Sequence, residues 1–542
     1  MSNLVRPALA LGIVSLALGC SGKGGDPAIT AAAIQIHTSV LGHDSMAGRG
    51  TGQPGYQQAA DYVAAQLRRI GTEPGVSGSY FQQVPLRETT LERAAVAVTR
   101  GGRTQALTEL TDFIVLGSQR KVADTAAGSV VFVGYGVSAP GLGHDDYAGV
   151  DVKGKIVAVL WGGPPSLPPN PRAHLSGGEK AKAAAARGAI GMVTLWTPEA
   201  EGVLPWAVAQ RLYRAPSMTW LDAPGSVPDE VPELTSAMLS PTASEALFAG
   251  TPGGFQGVVA AAREGKSRAI TLPAAVRIER TSRQRELTAP NVIGVVRGTD
   301  PKLRDEYVVF TAHLDHDGIA MPMAGDSIYN GVIDNAAAVA ALLEVAESFA
   351  AGPKPKRSLV FVATAAEEKG LLGAYYFAAH PTVPAEAIVA NLNMDGNHLL
   401  FQPANIVALG AEHSTLAGAA EEAARAEGLE LETNLMPEQA FFIRSDQYPF
   451  VKKGIPALFF VNGTKSRDSS ISGEALLGRY LTTVYHTPKD DLEQQIDWEA
   501  GAIYARVVQR IGRLVADADA RPTWNPGDFF GETFGKKTVG GM

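Results

Sequence analysis

Between residues 289 and 396 short apolar runs alternate with helix-length segments, and three of those runs end on a histidine or an acid. APNVIGVVRG (289–298), YVVFTA, LVFVATA and IVANLNM have the length and branched content of buried strands, and the segments 335–350 and 371–379 read as helices. That rhythm predicts βαβ units and a largely parallel sheet, the α/β fold class. In open sheets of this kind ligands gather beyond the carboxyl ends of the strands. His313 follows the first of the three runs, Glu367 and Glu368 the second and Asp395 the third, so separate strands deliver their side chains to one edge.

Two more residues extend the set. Asp334 lies in NGVIDNAAA (330–338) and His486 in VYHTPKDD (484–491). Two histidines (His313, His486) and three of the carboxylates Asp334, Glu367, Glu368 and Asp395 suit a pair of Zn²⁺ ions, with one carboxylate bridging them and one glutamate left free as a base. Asp334 precedes an apolar helix and sits at its expected N-cap, where the dipole favours an anion. Asp315, two residues after His313, is suited to accept the imidazole N–H that a metal leaves free; otherwise it is an exposed acid at a strand end. His316 belongs to the same HLDH string but is expected to project elsewhere, as a structural polar residue or a pocket wall. Adjacent Glu367 and Glu368 cannot point the same way from an extended backbone, so one would hold metal and the other face water. Tyr485 either reaches a developing oxyanion or packs.

These strings, with AGRGTGQPGYQQAADYVAAQLRRIG (47–71), GYGVSAPGLGHDDYAGVDVKGKIVAVL (134–160) and RSDQYPFVKKGIPALFF (444–460), resemble the co-catalytic di-zinc exopeptidases. That group includes bacterial leucyl aminopeptidases and glutamate carboxypeptidase, and the non-catalytic transferrin-receptor ectodomain shares its fold. The resemblance implies a three-layer α/β/α peptidase domain. It places His313 and Asp395 on one zinc, Glu368 and His486 on the other, Asp334 between them, and Glu367 as general base. Ser445 and Asp446 in RSDQYPF match a motif near the family site, more often followed by His. Gln447 departs from it, so only a supporting role carries over. Between 120 and 282, β-type runs alternate with Gly/Pro loops around a helical AKAAAARGA, which resembles an inserted protease-associated (PA) domain.

The expected organisation is a leader (1–20), a tether (21–30), the first part of the peptidase domain (31–119), the insertion (120–282), the zinc peptidase domain (283–520) and a tail (521–542) that shows no period. Arg6 and the apolar run Leu9 to Leu18 form a targeting segment ending in LALGC, whose Cys20 is the only cysteine of the 542 residues. A cysteine there resembles a bacterial lipoprotein cleavage site. With Ser21 after it, the resemblance implies lipid anchoring in the cell envelope at the outer membrane; the alternative is a plain secretory signal and a secreted or periplasmic protein. A net charge of −8 with scattered Lys and Arg argues against a nucleic-acid partner.

Three other chemistries are excluded. GYGVSA (134–139) lacks the following helix of a dinucleotide fold, and GVDVKGKI (149–156) has Ile156 where a P-loop needs Ser or Thr. No G-x-S-x-G nucleophile elbow occurs. The chain is therefore expected to cleave N-terminal residues from peptides with two Zn²⁺. The rivals are a carboxypeptidase or dipeptidase of the same fold, a single-zinc glutaminyl cyclase, and a non-catalytic PA-domain binding protein.

Overall fold

A computed structural model describes residues 26–535 except 232–233, 397–398, 433 and 435. Cys20 and the leader therefore lie outside the described residues, as does the end of the tail. The strands Tyr307–His313, Ser358–Thr364 and Ile388–Met394 are buried along their whole length. Such strands carry apolar side chains on both faces, which is why they read as continuous apolar runs rather than as alternating ones. Tyr307–His313 lies at the centre of the sheet, parallel to Ser358–Thr364 on one side and to Ile388–Met394 on the other. Ala457–Asn462 continues the parallel order beyond Ile388–Met394. Asn405–Leu409 then runs antiparallel to it.

Successive residues of the central strand enter opposite cores. Val308, Phe310 and Ala312 pack with the helices Ala31–Leu41, Pro54–Ile70, Ala337–Ala351, Leu416–Ala426 and Trp498–Asp517. Tyr307 and Val309 pack with Phe377 and Phe450, from the helices Leu372–Ala379 and Gln447–Lys452 on the other face. The result is a three-layer α/β/α unit with a mostly parallel central sheet. Trp498–Asp517 closes one layer with Ile503, Val507, Ile511 and Val515 inward, while Leu514, which the same period also turns inward, is only partly buried at the edge of the core.

The long strands Phe81–Arg100 and Ile270–Val296 form an antiparallel ribbon from Phe81↔Val292 to Thr99↔Ala275. It leads from this unit to a second core around Phe132, Leu160, Leu195, Leu239, Phe248 and Phe255. There the strands Ala123–Phe132, Ile156–Leu160, Gly191–Leu195 and Thr235–Leu239 run parallel. Helices flank them, among them Gly178–Ala186 and Gly254–Arg263, so the 120–282 segment is helical as well as stranded. Residue 282 does not end an element; the ribbon passes through it with a register shift at Thr281/Ser282.

The tail, aperiodic in sequence, also has a place. Phe529–Phe534 is a short helix capped by Asp528, whose carboxylate accepts from the Phe530 and Gly531 amides. Phe530 is buried against Phe442, and Phe534 lies edge-on to His174 of the 120–282 segment. His413 joins the same three parts of the chain: Nδ1 is 2.6 Å from Asp528 and Nε2 is 3.1 Å from Asn170.

Lys180 is a buried cation held by backbone carbonyls. Lys180 donates to the Leu160 carbonyl at 2.8 Å and to the Gly162 carbonyl, and burial lowers its pKa from 10.5 to about 7. Between these two pH values the unfolded chain holds a proton that the folded chain releases. Folding stability therefore rises with pH across this window, and the cost is fully present below about pH 7. Lys180→Met removes the titration. The difference in unfolding free energy between wild type and variant is expected to shift by on the order of 4 kcal/mol between pH 6.5 and 10, measured by urea denaturation. Parallel pH profiles would show that this ammonium is not desolvated.

Candidate metal centre

His313 is the last residue of the central strand, and Asp395 directly follows Ile388–Met394. The neighbouring strand stops at Thr364, and Ala366 then takes a left-handed conformation with φ of 56°. A non-glycine residue held there turns the chain sharply. The two glutamates consequently lie in a turn, not on extended backbone, and both carboxylates enter the site. One oxygen of each lies within 4.8 Å of a His313 nitrogen. The expectation that the pair must diverge fails for this reason.

Asp334 joins them from a different element, and not as a helix cap. The helix begins at Ala337 and Ala336 occupies the N-cap position without a side-chain hydrogen bond. The Asp334 carboxylate turns inward instead. Its Oδ1 is 3.2 Å from His313 Nε2 and its Oδ2 is 3.1 Å from His486 Nε2. Asp395 Oδ1 lies 3.2 Å from His313 Nε2 on the first side. Glu368 Oε2 lies 3.4 Å from His486 Nε2 on the second. Besides the His313/Glu367/Glu368 group, two sets of donors contain Asp334, His313/Asp334/Asp395 and His316/Asp334/Glu368/His486, each with its ligand atoms within 4.8 Å of one another. Both are compact enough to hold a cation, and Asp334 belongs to each.

His316 was expected elsewhere. Its ring is fully buried in the second set, with Nδ1 2.8 Å from Glu368 Oε1. The Asp315 side chain also differs from expectation. His313 Nδ1 faces the Asp315 backbone carbonyl at 3.1 Å, not its carboxylate. The carboxylate accepts from the Glu367 amide at 2.9 Å, the Glu368 amide at 3.3 Å and the Thr51 hydroxyl at 3.0 Å. Its role is to fix the glutamate turn. Ser445 and Asp446 lie behind the site: the Ser445 hydroxyl accepts from Asn393 at 2.8 Å, and Thr364 donates to Asp446. Gln447 completes this network, accepting from Asn393 at 2.9 Å and donating to the Phe442 carbonyl at 2.6 Å. Tyr485 lines the cleft, with its ring 4.0 Å from that of His486.

Two further residues hold the ligand-bearing loops. Arg49, in the string AGRG, is fully buried and donates to the carbonyls of Leu314 (2.8 Å), Leu41 (2.8 Å), Asn330 (2.5 Å) and Gly331 (2.8 Å). It clamps the loop after His313 to the loop before Asp334. Asp490, four residues after His486, accepts from the Ile333 amide at 2.9 Å and the Asp334 amide at 3.0 Å. Burial pushes its carboxyl up to about 6.

The electrostatics follow from crowding. Burial, with Glu368, Asp395 and Asp446 nearby, drives the Glu367 carboxyl well above the ordinary carboxylate range. Burial alone would depress His313, yet Asp395, Glu367 and Asp334 together hold it well above the usual imidazole value. Likewise Glu368 and Asp334 outweigh burial and raise His486 to about 10. Buried acids in excess of buried cations are the condition that a bound divalent ion relieves. The donor types, nitrogen and carboxylate oxygen, suit zinc.

A cleft open to solvent reaches this cluster. His313, Glu367, Asp395 and His486 stand at one part of its lining, and Val407, Leu409, Phe459, Val461 and Leu477 form an apolar wall. Imidazoles and carboxylates converging at strand ends in such a cleft define a metallohydrolase-type centre. Residues 291–511, which include every cluster residue, match the model of Peptidase family M28.

Solved structures similar to this one include an aminopeptidase from Aneurinibacillus sp. strain AM-1. It is 17% identical, covering 91% of this chain and 95% of that one with a TM-score of 0.50. BSAP, a zinc aminopeptidase from Bacillus subtilis, is 17% identical over 91% of this chain and 96% of that one (TM-score 0.43). A peptidase M28 precursor from Shewanella amazonensis SB2B is 18% identical over 91% and 96% (TM-score 0.42). No curated protein matches the sequence.

Asp490→Ala leaves the Ile333 and Asp334 amides buried without acceptors. Each such loss costs about 1–3 kcal/mol, so the metal-free variant is expected to unfold at a visibly lower urea concentration. An unchanged midpoint would mean that another group takes over the two amides.

Proposed function

We propose that the chain is a zinc-dependent exopeptidase of the aminopeptidase type, holding two Zn²⁺ ions. The observation that carries this reading is Asp334, whose two oxygens face two separate donor sets. His313 and Asp395 would complete one site, and Glu368 and His486 the other. When bound, the metal supplies Lewis acidity at the scissile carbonyl and makes a neighbouring water easier to deprotonate. Glu367 lies within 4.8 Å of the ligand atoms of His313 and Glu368, one from each donor set, where it is placed to take a proton from water and return it to the leaving amine. Asp315 keeps Glu367 in place through its backbone amide.

The acidic part of the cleft suits the α-ammonium of a peptide, and the apolar wall suits an uncharged side chain. The similar structure from Aneurinibacillus, an aminopeptidase, points the same way. One observation favours a carboxypeptidase or dipeptidase instead: Arg444 also lines the cleft and offers a partner to a free carboxylate. Hydrolysis of aminoacyl-anilides against acyl-blocked dipeptides separates the two. For placement in the cell, lipidation at Cys20 remains the reading we favour. No helix among the described residues is long and apolar enough to cross a membrane. Cys20→Ala is expected to abolish incorporation of labelled fatty acid, and absence of label in the wild type would remove the anchor from the account.

Glu367→Gln removes the base but no proposed ligand. Turnover is expected to fall at least ~10²-fold, the lower range for general acid–base catalysis, with metal content by atomic emission unchanged. Retention of more than a tenth of the wild-type kcat would reassign the base. Treatment with a chelator is expected to abolish hydrolysis and added zinc to restore it; activity that survives complete metal removal would sink the metallopeptidase reading itself.

A further inference from the structure

We propose that His316, through Nδ1, is a fourth protein donor to the cation site formed by Asp334, Glu368 and His486. The inference rests on the metallopeptidase reading above and adds a ligand to it. His316 Nδ1 lies 2.8 Å from Glu368 Oε1 and 4.0 Å from Asp334 Oδ2. His486 Nε2 lies 3.1 Å from Asp334 Oδ2 and 3.4 Å from Glu368 Oε2. Zinc bonds of 2.0–2.1 Å to nitrogen and oxygen give a tetrahedron with edges of about 3.3 Å. The four separations scatter around that edge length. The rings of His316 and His486 stand at 90° with centroids 5.3 Å apart, so neither blocks the other's approach to a shared ion.

The surroundings place the ring there and leave only one nitrogen to serve. Gly50 and His316 form a bridge between neighbouring backbones, and Arg49 clamps the adjoining Leu314 carbonyl. Gly331, at φ of 58°, makes room: a Cβ on it would come within 2.5 Å of His316 Cγ. Nε2 is buried with no hydrogen-bond partner, whereas Nδ1 faces carboxylates. The two cation sites then differ in kind. His313, Asp334 and Asp395 are the three-ligand complement of a catalytic zinc, whereas His316, Asp334, Glu368 and His486 are the four-ligand complement of a closed one.

The competing role for His316 is a hydrogen bond from Nδ1 to Glu368 without contact to metal. Loss of such an outer bond already costs about 10- to 100-fold in metal affinity, so His316→Ala alone decides nothing. His316→Asn keeps an amide N–H near the Nδ1 position and preserves that hydrogen bond while removing the imidazole. Two measurements are made on the zinc-loaded full chain. X-ray absorption of the wild type counts imidazoles, expected to be three shared between two ions. Competition with a chromophoric chelator measures affinity, and His316→Asn is expected to release one ion at least ~10²-fold more readily than wild type, a loss beyond that of one outer hydrogen bond. Two imidazoles in the wild type, or two ions held equally by wild type and His316→Asn, would overturn the proposal and leave the metallopeptidase reading standing. A wild type that takes up no zinc would overturn both.

Discussion

The Asp334 carboxylate, with one oxygen toward His313 and the other toward His486, is the contact on which the rest of the centre depends. It comes from a turn that no strand supplies, and it joins side chains delivered by the central strands to a histidine from a loop more than 150 residues later in the chain. Several acids buried this close repel one another strongly in a poorly screened interior. Their protonation directions register that repulsion: Glu367 is pushed far up while Asp334, between two imidazoles, is held far down. A cation bound among these acids would turn the repulsion into a binding energy.

Such an arrangement needs a rigid frame, and the frame is made largely of backbone groups. Arg49 uses its guanidinium to satisfy four carbonyls, Asp490 satisfies two amides at the Asp334 turn, and Asp315 satisfies the two glutamate amides. The side chains that face the cleft are thereby left for ligands, while those one layer back fix the loops. Burial lowers the Arg49 pKa to about 10, against the pull of Asp490, Asp334, Asp315 and Glu368. It stays charged at neutral pH and contributes a fixed positive charge behind the cluster.

Much of this was legible in the residue order. The strand-end histidine and acids followed from apolar runs that stop at a ligand-type residue, and the parallel sheet carried them to one edge. Asp334 could be picked out by type but not by posture, because an acid before an apolar helix looks the same whether it caps the helix or turns inward. His316 was missed because the strand ends at His313, and beyond that point side-chain direction depends on the bridge to Gly50, which lies 266 residues earlier. Asp490 stood in a Pro-Lys-Asp-Asp string that reads as a surface turn. The aromatic tail had no period, since its order comes from packing against Phe442 and His174 and not from a helix of useful length.

The clamp formed by Arg49 has a consequence for how the centre comes into being. Its bonds to Asn330 and Gly331 close loops of 281 and 282 residues, and the Asp490 contact to Asp334 closes another of 156. Contacts of such sequence separation form late, because the entropy of bringing distant segments together is lost before the contacts return anything. The second core lies wholly inside the Arg49 loop, so it can collapse on its own local pairings while that loop is still open. Proteolytic geometry therefore emerges as the last act of folding, and a nascent chain lacking its final hundred residues holds every acid of the cluster but neither His486 nor the Asp490 that sets the bridge.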